Sequence, residues 1–409
     1  MTKRQVIIAG GGASGLVAAI TAARNGAEVL IIEQKERLGK KILSTGNGRC
    51  NYTNEYMNAD CFRSDDLSIV EKVLDEFGYQ ETIRFFEDLG VIFKNRQGYI
   101  YPISDQATTI TDVLCMEIDR LEVQVRLEES VKSVKQDGRH FLLTTDKSTY
   151  KCDAVVLATG GKAASVLGSD GSGYELAKSL GHSISPVVPA LVQLVGNSKC
   201  FKLVSGVRTH ATVSIYIDNK YVSSDTGELQ LTNYGISGIP VFQVSRYASK
   251  ALLKKKNVLA EIDFLPTMTE NELEQFVSMR KTTHGNRTAE NFFIGMLHRK
   301  LAAMLLKEAY IPLHITANEI REDKWERLLE LIKHFKVEIV DTNSFDQAQV
   351  CAGGVSTKEV NLDTLESMYA EDLYLTGELL DVDGMCGGYN LQWAWATGFI
   401  AGKHAAKGK

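Results

Sequence analysis

The chain of 409 residues has no Cys-x-x-Cys pair, no marked excess of either charge and no apolar run long enough to span a bilayer. Each absence removes a class of function. The seven cysteines (Cys50, Cys61, Cys115, Cys152, Cys200, Cys351, Cys386) are odd in number and lie at no motif spacing. That argues against a disulfide scaffold, a zinc site and the redox-active dithiol of disulfide reductases. With 46 basic and 51 acidic residues the net charge is −5, so nothing favours nucleic acid or an anionic membrane as partner. The run Lys254-Lys255-Lys256 reads as a solvated helix end or loop. No stretch approaches the roughly 20 apolar residues of a transmembrane helix. Met1-Thr2-Lys3-Arg4 leads straight into the first strand, so no signal peptide is expected and the expected location is cytoplasmic. The histidines, among them His182, His210, His284, His298, His314 and His334, carry no metal-ligand spacing. The expectation is therefore no metal, and no catalytic acid or base can be named.

What is present begins at residue 6. Val6 to Ala9 is a continuous apolar run, the pattern of a parallel strand buried on both faces. It enters Gly10-Gly11-Gly12-Ala13-Ser14-Gly15. In such a fingerprint Gly10 permits the tight turn, Gly12 lets the backbone approach a pyrophosphate, and Gly15 lets the next helix pack against the strand. The helix, Leu16 to Asn25, presents its N-terminal N–H groups and positive dipole end to the phosphates. Gly26 stops it, Glu28 to Ile32 make a second strand, and Glu33 follows to accept hydrogen bonds from ribose hydroxyls. Strand, helix, stop, strand and carboxylate in that order predict a dinucleotide site.

The segment from Arg37 to Asn54 is dense in glycine, hydroxyls, amides and cations, and cannot form a regular core element. Its donors suit a diphosphate and the polar edge of a ring system. Strands are then predicted at Gln124–Leu127, Glu129–Gln136, Phe141–Thr145 and Tyr150–Val156, the last leading to the turn Leu157-Ala158-Thr159-Gly160-Gly161. The later cluster Gly168-Ser169-Asp170-Gly171-Ser172-Gly173 has the wrong spacing for a second fingerprint and follows no strand. One resident dinucleotide is expected, with any nicotinamide cofactor visiting transiently.

Near the C-terminus, the short strand Asp372–Leu375 runs into Thr376-Gly377-Glu378 and on to Gly387-Gly388-Tyr389-Asn390-Leu391 before a helix, Gln392 to Ala405. A second strand–carboxylate–glycine–helix unit would return to the same crevice of a wound sheet. Glu378 could hold ribityl hydroxyls, and a helix N-terminus near Asn390 and Leu391 would face the pyrimidine edge of a flavin, stabilising the reduced anionic ring. Between the two units the chain turns strand-rich: Leu191–Val195, Val207–Ile217 and Gly227–Leu231, a turn-rich stretch from Thr232 to Pro240, a helix from Val241 and a strand at Glu261–Phe264 ended by Pro266. It then turns helical, from Thr269 to Leu306 with a Thr269/Glu272 capping box, and from Asn318 to His334. Tyr234, Phe242 and Tyr247 are candidate substrate-side aromatics. Strands followed by helices suggest segregated modules.

The Arg37–Asn54 run, the Ala158–Gly161 turn, Gly353-Gly354-Val355-Ser356 and the Gly377–Asn390 segment resemble a bacterial three-domain family of NAD(P)/FAD-dependent flavoproteins, which includes aminoacetone-oxidase-type enzymes and a bile-acid-inducible reductase. The resemblance covers essentially the whole chain. It implies an α/β fold in which a Rossmann-like FAD domain (1–189 and 341–409) is interrupted by a strand-rich substrate domain (190–266) and a helical domain (267–340). It implies FAD held by Gly10, Gly12, Ala13, Ser14, Gly15, Glu33, Lys40, Thr45, Gly46, Asn47, Glu378, Asn390 and Leu391. Gln34, Lys41, Val131, Thr159, Gly160, Asp381 and Gly388 complete the expected set. Three activities follow as expectations. The first is an FAD reductase carrying hydride from NAD(P)H to a carbon–carbon double bond conjugated to a ketone, of the 3-oxo-bile-acid type. The second is an oxidase taking hydride from a small amine, with dioxygen as acceptor. The third is a flavin-bound redox sensor without turnover. Oligomeric state stays open.

Overall fold

The computed structural model describes residues 3–408. The chain divides into two compact units, one running up to Val187 and resuming at Gln349, the other Val188–Ala348.

The first unit is built on five parallel strands. They are β1 (Gln5–Ala9), β2 (Glu28–Ile32), β3 (Gln124–Arg126), β4 (Ala154–Leu157) and β5 (Leu373–Leu375), in the order β5-β4-β1-β2-β3. The central strands are apolar throughout because both faces are covered: Val6 to Ala9 and all of β4 are buried. Helix α1 (Ala13–Arg24) follows β1, and helix α2 (Tyr389–Lys407) closes the chain. The expected strand over 150–156 is two strands. Residues 149–152 pair antiparallel with 140–145, and β4 pairs parallel with β1. Asp153 makes the break, its carboxylate accepting from the Gln5 N–H at 2.8 Å and its own N–H bonding the Gln5 carbonyl at 2.9 Å. Three helices (Ser68–Glu76, Tyr79–Asp88, Ala107–Arg120) lie in a stretch for which the sequence reading assigns no elements.

The second unit contains a closed six-stranded barrel, in the order 194–196, 235–238, 220–231, 208–217, 258–263 and 335–342, with every pairing antiparallel. The first hairpin is longer than predicted because Asp218 and Asn219, at φ 49° and 64°, make a two-residue turn of the type that matches strand twist. The turn-rich stretch near Gly235 proves to be a strand. A Cβ on Gly235 would overlap the Leu194 carbonyl, so glycine there marks close backbone approach, not a loop. The helix Ile239–Leu253 packs against the barrel strands through Val241, Val244, Ala248 and Ala251. The expected long helix from Thr269 is three, Glu270–His284, Ala289–Phe292 and Arg299–Glu308, the first opened by the predicted capping box, with Thr269 and Glu272 bonding reciprocally at 3.2 and 2.8 Å. The strand-rich and helical segments share one core, since Val213, Ala260, Phe292, Leu305, Trp325 and Val337 belong to a single cluster.

Lys333 is buried in that unit and donates to the Asp263 carboxylate at 2.6 Å and to the Leu265 carbonyl at 3.0 Å. Removing the ammonium strands a half-buried carboxylate and the Leu265 and Met268 carbonyls, which costs more than the pair contributes. Lys333→Met is expected to destabilise the protein by about 3 kcal/mol, read as a lower midpoint in urea with an unchanged slope.

Candidate functional site

Three glycines of the fingerprint, Gly10, Gly12 and Gly15, show why β1 ends as it does. A Cβ on Gly10 would overlap the Ala158 carbonyl, and one on Gly15 would overlap the Gly10 carbonyl, so both are closed by backbone. Gly12 is the opposite case. A Cβ there meets nothing within 4 Å, and its φ of −81° is ordinary, so only an external group requires the space. Gly12 also begins α1, whose N-terminus carries no side-chain cap and no acid in its first turn. Open space above uncapped N–H groups is a cradle for an anion.

Glu33 stands beside it. Its Oε2 accepts from the Gly11 N–H at 2.7 Å and its Oε1 from the Lys35 N–H at 2.8 Å. Burial pushes this carboxyl above its usual range, opposed by those two backbone donors. Gln34 reaches across to the Gly168 carbonyl, which brings the 161–171 loop over the same corner. Val131 opens a strand two residues after Glu129, whose N–H bonds the Glu33 carbonyl at 3.0 Å.

The C-terminal motif arrives from the other side. Thr376 donates to the Ser14 hydroxyl at 3.2 Å, and the Gly377 N–H bonds Thr397 on α2. Lys41 donates to Glu378 at 2.9 Å and to the Ala163 carbonyl at 3.1 Å, joining residues 337 positions apart. The other Glu378 oxygen accepts from the Cys351 N–H at 2.8 Å, and Asp381 accepts from the Gly353 N–H at 3.0 Å. Both carboxylates are thus tied to protein donors. Thr159 Oγ1 and the Tyr174 hydroxyl are buried there without hydrogen-bond partners, and Gly160, at φ 70°, lies against Ser169.

Helices α1 and α2 run parallel in close contact. Gly398 faces the Ser14 carbonyl and Gly402 the Ala18 carbonyl, both with no room for a Cβ. That register sets the start of α2 about 12 Å beyond the start of α1, at 1.5 Å per residue. The N-terminus of α2 is likewise uncapped and free of acids. Two positive helix ends, staggered along one crevice, suit a ligand with a diphosphate at one point and an electron-accepting ring further out.

The remaining expected residues serve mixed ends. Gly46 and Asn47 adopt left-handed backbone (φ 56° and 54°) inside Ile42–Gly48, and Thr45 donates to the Ile42 carbonyl at 2.6 Å. Lys40 pairs with Glu36 at 3.0 Å on the surface. Asn390 and Leu391 lie inside the first turn of α2, which starts at Tyr389, three residues before the predicted Gln392. The Asn390 amide is spent on its own loop, bonding both the Gly384 N–H (2.8 Å) and carbonyl (2.9 Å). Burial pushes the Cys50 and Cys351 thiols up to about 12, which keeps them protonated and inert at neutral pH. Among the histidines, His182 has polar partners. His182 bonds Ser367 at 2.8 Å and lies 3.3 Å from Glu359, a serine–histidine–carboxylate grouping. Ser367 is itself a turn cap, accepting from the Tyr369 and Ala370 N–H groups. Among the described residues no group of three or more His, Cys, Asp or Glu could hold a metal, and no helix is long and apolar enough to cross a membrane.

Sequence reasoning passed over Tyr174 and Asn51. Asn51 could have been found, since it lies inside the polar Arg37–Asn54 run. Tyr174 carries no local signal.

A wound parallel sheet, two staggered helix ends and a carboxylate at the end of the second strand define a flavin-dependent oxidoreductase. The chain matches the HI0933-like protein Rossmann domain over residues 4–404 and belongs to that family. It is 50% identical over 402 residues to the 3-dehydro-bile acid delta(4,6)-reductase of Clostridium scindens, covering 98% of both chains. It is 29% identical over 401 residues to the ribosomal RNA dihydrouridine synthase of Escherichia coli, covering 97% of this chain and 96% of that protein. The solved structure of 3-ketosteroid delta1-dehydrogenase from Sterolibacterium denitrificans, in complex with 1,4-androstadiene-3,17-dione, superposes with a TM-score of 0.51 at 12% identity. It covers 98% of this chain and 99% of that one, a likeness of fold.

Proposed function

We propose that the protein reduces a carbon–carbon double bond conjugated to a ketone on a bile-acid or steroid skeleton, with FAD as resident cofactor and NAD(P)H as transient reductant. The carrying observation is the 50% identity, end to end, with a delta(4,6)-reductase of 3-dehydro-bile acids. FAD supplies the hydride-transferring ring nitrogen of the reaction. The chain's own part is to bind and orient. The α1 N-terminus and the space over Gly12 would take the diphosphate. Glu33 would take the adenosine ribose, and the α2 N-terminus the ring's electron-rich edge. The absence of a second nucleotide fingerprint supports a reductant that binds and leaves.

A second reading has its own support. The Escherichia coli relative is named for making dihydrouridine in ribosomal RNA, and the uracil double bond is also conjugated to a carbonyl. The two chemistries differ in substrate and share a step. Identity favours the steroid, and the net charge of −5 supplies no bulk attraction for RNA. Anaerobic stopped-flow separates them. Bleaching of the flavin by NADH or NADPH and recolouring by a 3-oxo-4-ene bile acid is the expected result. Recolouring by ribosomal RNA alone transfers the proposal to the second reading. Bleaching by an amine, with peroxide formed in air, would replace both with the oxidase, and no response to any of these leaves a redox sensor.

A further inference from the structure

We propose that Asn51 is a positioning residue that sets the electrostatic field at the N-terminus of α2, and so tunes the redox potential of the flavin placed there; this rests on the flavin reading above. Asn51 is 8% exposed. Its amide nitrogen donates to the Thr53 and Ile100 carbonyls, each at 3.0 Å. Both donor positions are therefore used, and the side chain cannot rotate without losing them. Its oxygen Oδ1 is buried with no hydrogen-bond partner. That oxygen is turned on Gly388, where a Cβ would stand 2.9 Å from it and 2.8 Å from the Thr53 carbonyl. Gly388 is the N-cap of α2, held at φ 93°.

The two observations are independent and meet at one place. A 19-residue helix begins with no side-chain cap and no acid in its first turn. Beside its start, a buried carbonyl dipole points at it and bonds nothing. An unsatisfied acceptor is costly to keep, and aspartate, the same size, would satisfy a helix N-terminus better. Aspartate, however, would cancel the positive helix end with a full charge and lose both donor bonds. The neutral amide trims the field without removing it. The helix end favours the reduced, anionic ring, so the amide oxygen holds the potential slightly below what the bare helix end would give.

The sign of the shift in two variants tests this. Asn51→Asp adds negative charge and should lower the ratio of reduced to oxidised flavin affinity about tenfold, a fall of about 30 mV in the two-electron midpoint. It is measured at about pH 9.5, above the roughly 8–9 to which full burial raises a carboxyl. Asn51→Ala removes the carbonyl dipole and should raise the ratio about threefold, near 14 mV. A role confined to pinning the turn would move both variants the same way, or neither, and either result overturns the proposal. Should Asn51→Asp fail to fold, Asn51→Ala alone decides: a rise supports, and no change or a fall overturns. Wild-type protein that takes up no FAD on reconstitution overturns the flavin reading first, and this proposal with it.

Discussion

Gly12→Val is expected to give a folded protein that carries no FAD. The position tolerates a side chain as far as the protein is concerned. Its φ of −81° and ψ of −164° lie in the extended region open to any residue, and a Cβ there meets nothing within 4 Å. The cost to folding is confined to a poorer N-cap, about 1 kcal/mol. The isopropyl group would fill the space over the α1 N–H groups, and a clash of about 3 kcal/mol with a bound diphosphate weakens FAD roughly a hundredfold. Gly15→Val is the paired control. Its Cβ would overlap the Gly10 carbonyl, so it should lose stability as well as colour. Thermal melts and the 450 nm-region absorption of the purified variants read the two outcomes apart. A yellow, stoichiometric Gly12→Val protein would dismiss the cradle as the diphosphate site.

The contrast between these glycines shows what was legible in the chain. The fingerprint from Gly10 to Glu33 was legible because every element in it is local. Strand, turn, helix and second strand follow within thirty residues, each marked by its own chemistry, and the structure places them in that order. The C-terminal motif was legible for the same reason, though its helix begins at Tyr389, where Gly388 permits a left-handed N-cap that hydropathy does not report. What stayed hidden depends on contacts distant in sequence. Lys41 and Glu378 each looked like a ligand contact, and only the fold shows them bonded to one another. Tyr174 joins the site from a short helix, Ser172–Ser179, that carries no motif. The barrel strand at 335–342 follows directly on the predicted helix 318–334, in a stretch counted with the helical domain up to 340 and given no strand. Its apolar residues alternate, yet its pairing with 258–263 depends on partners 73 to 81 residues earlier, from Phe335–Ile262 to Ile339–Val258. Gly235 misled because glycine signals both a turn and a close strand approach, and periodicity cannot tell them apart.

Gly398→Val is expected to be among the most damaging single changes away from the crevice, weakening FAD binding from a distance. Gly398 lies mid-way along α2, where valine would improve helix propensity by under 1 kcal/mol. Against that, its Cβ would overlap the Ser14 carbonyl, with Cα and C of the same residue only 3.1 and 3.0 Å away. Backbone cannot swing aside as a flexible side chain can, so α1 and α2 must part. Gly402, one turn on, meets the Ala18 backbone in the same way, and the two glycines hold the helices at a separation that larger residues forbid. The cost of overpacking here is about 3 kcal/mol, several times the propensity gain. Separation also shifts the α1 N-terminus relative to the start of α2, and with it the stagger on which the proposed cofactor site is built. The expected result is a lower denaturation midpoint together with an FAD affinity reduced at least tenfold, the second effect persisting at temperatures where the variant is fully folded. Gly398→Ala, with the Cβ alone, should show both effects in weaker form. If Gly398→Val melts early but binds FAD as tightly as the parent, the helix stagger does not set the cofactor site, and the two N-termini act independently.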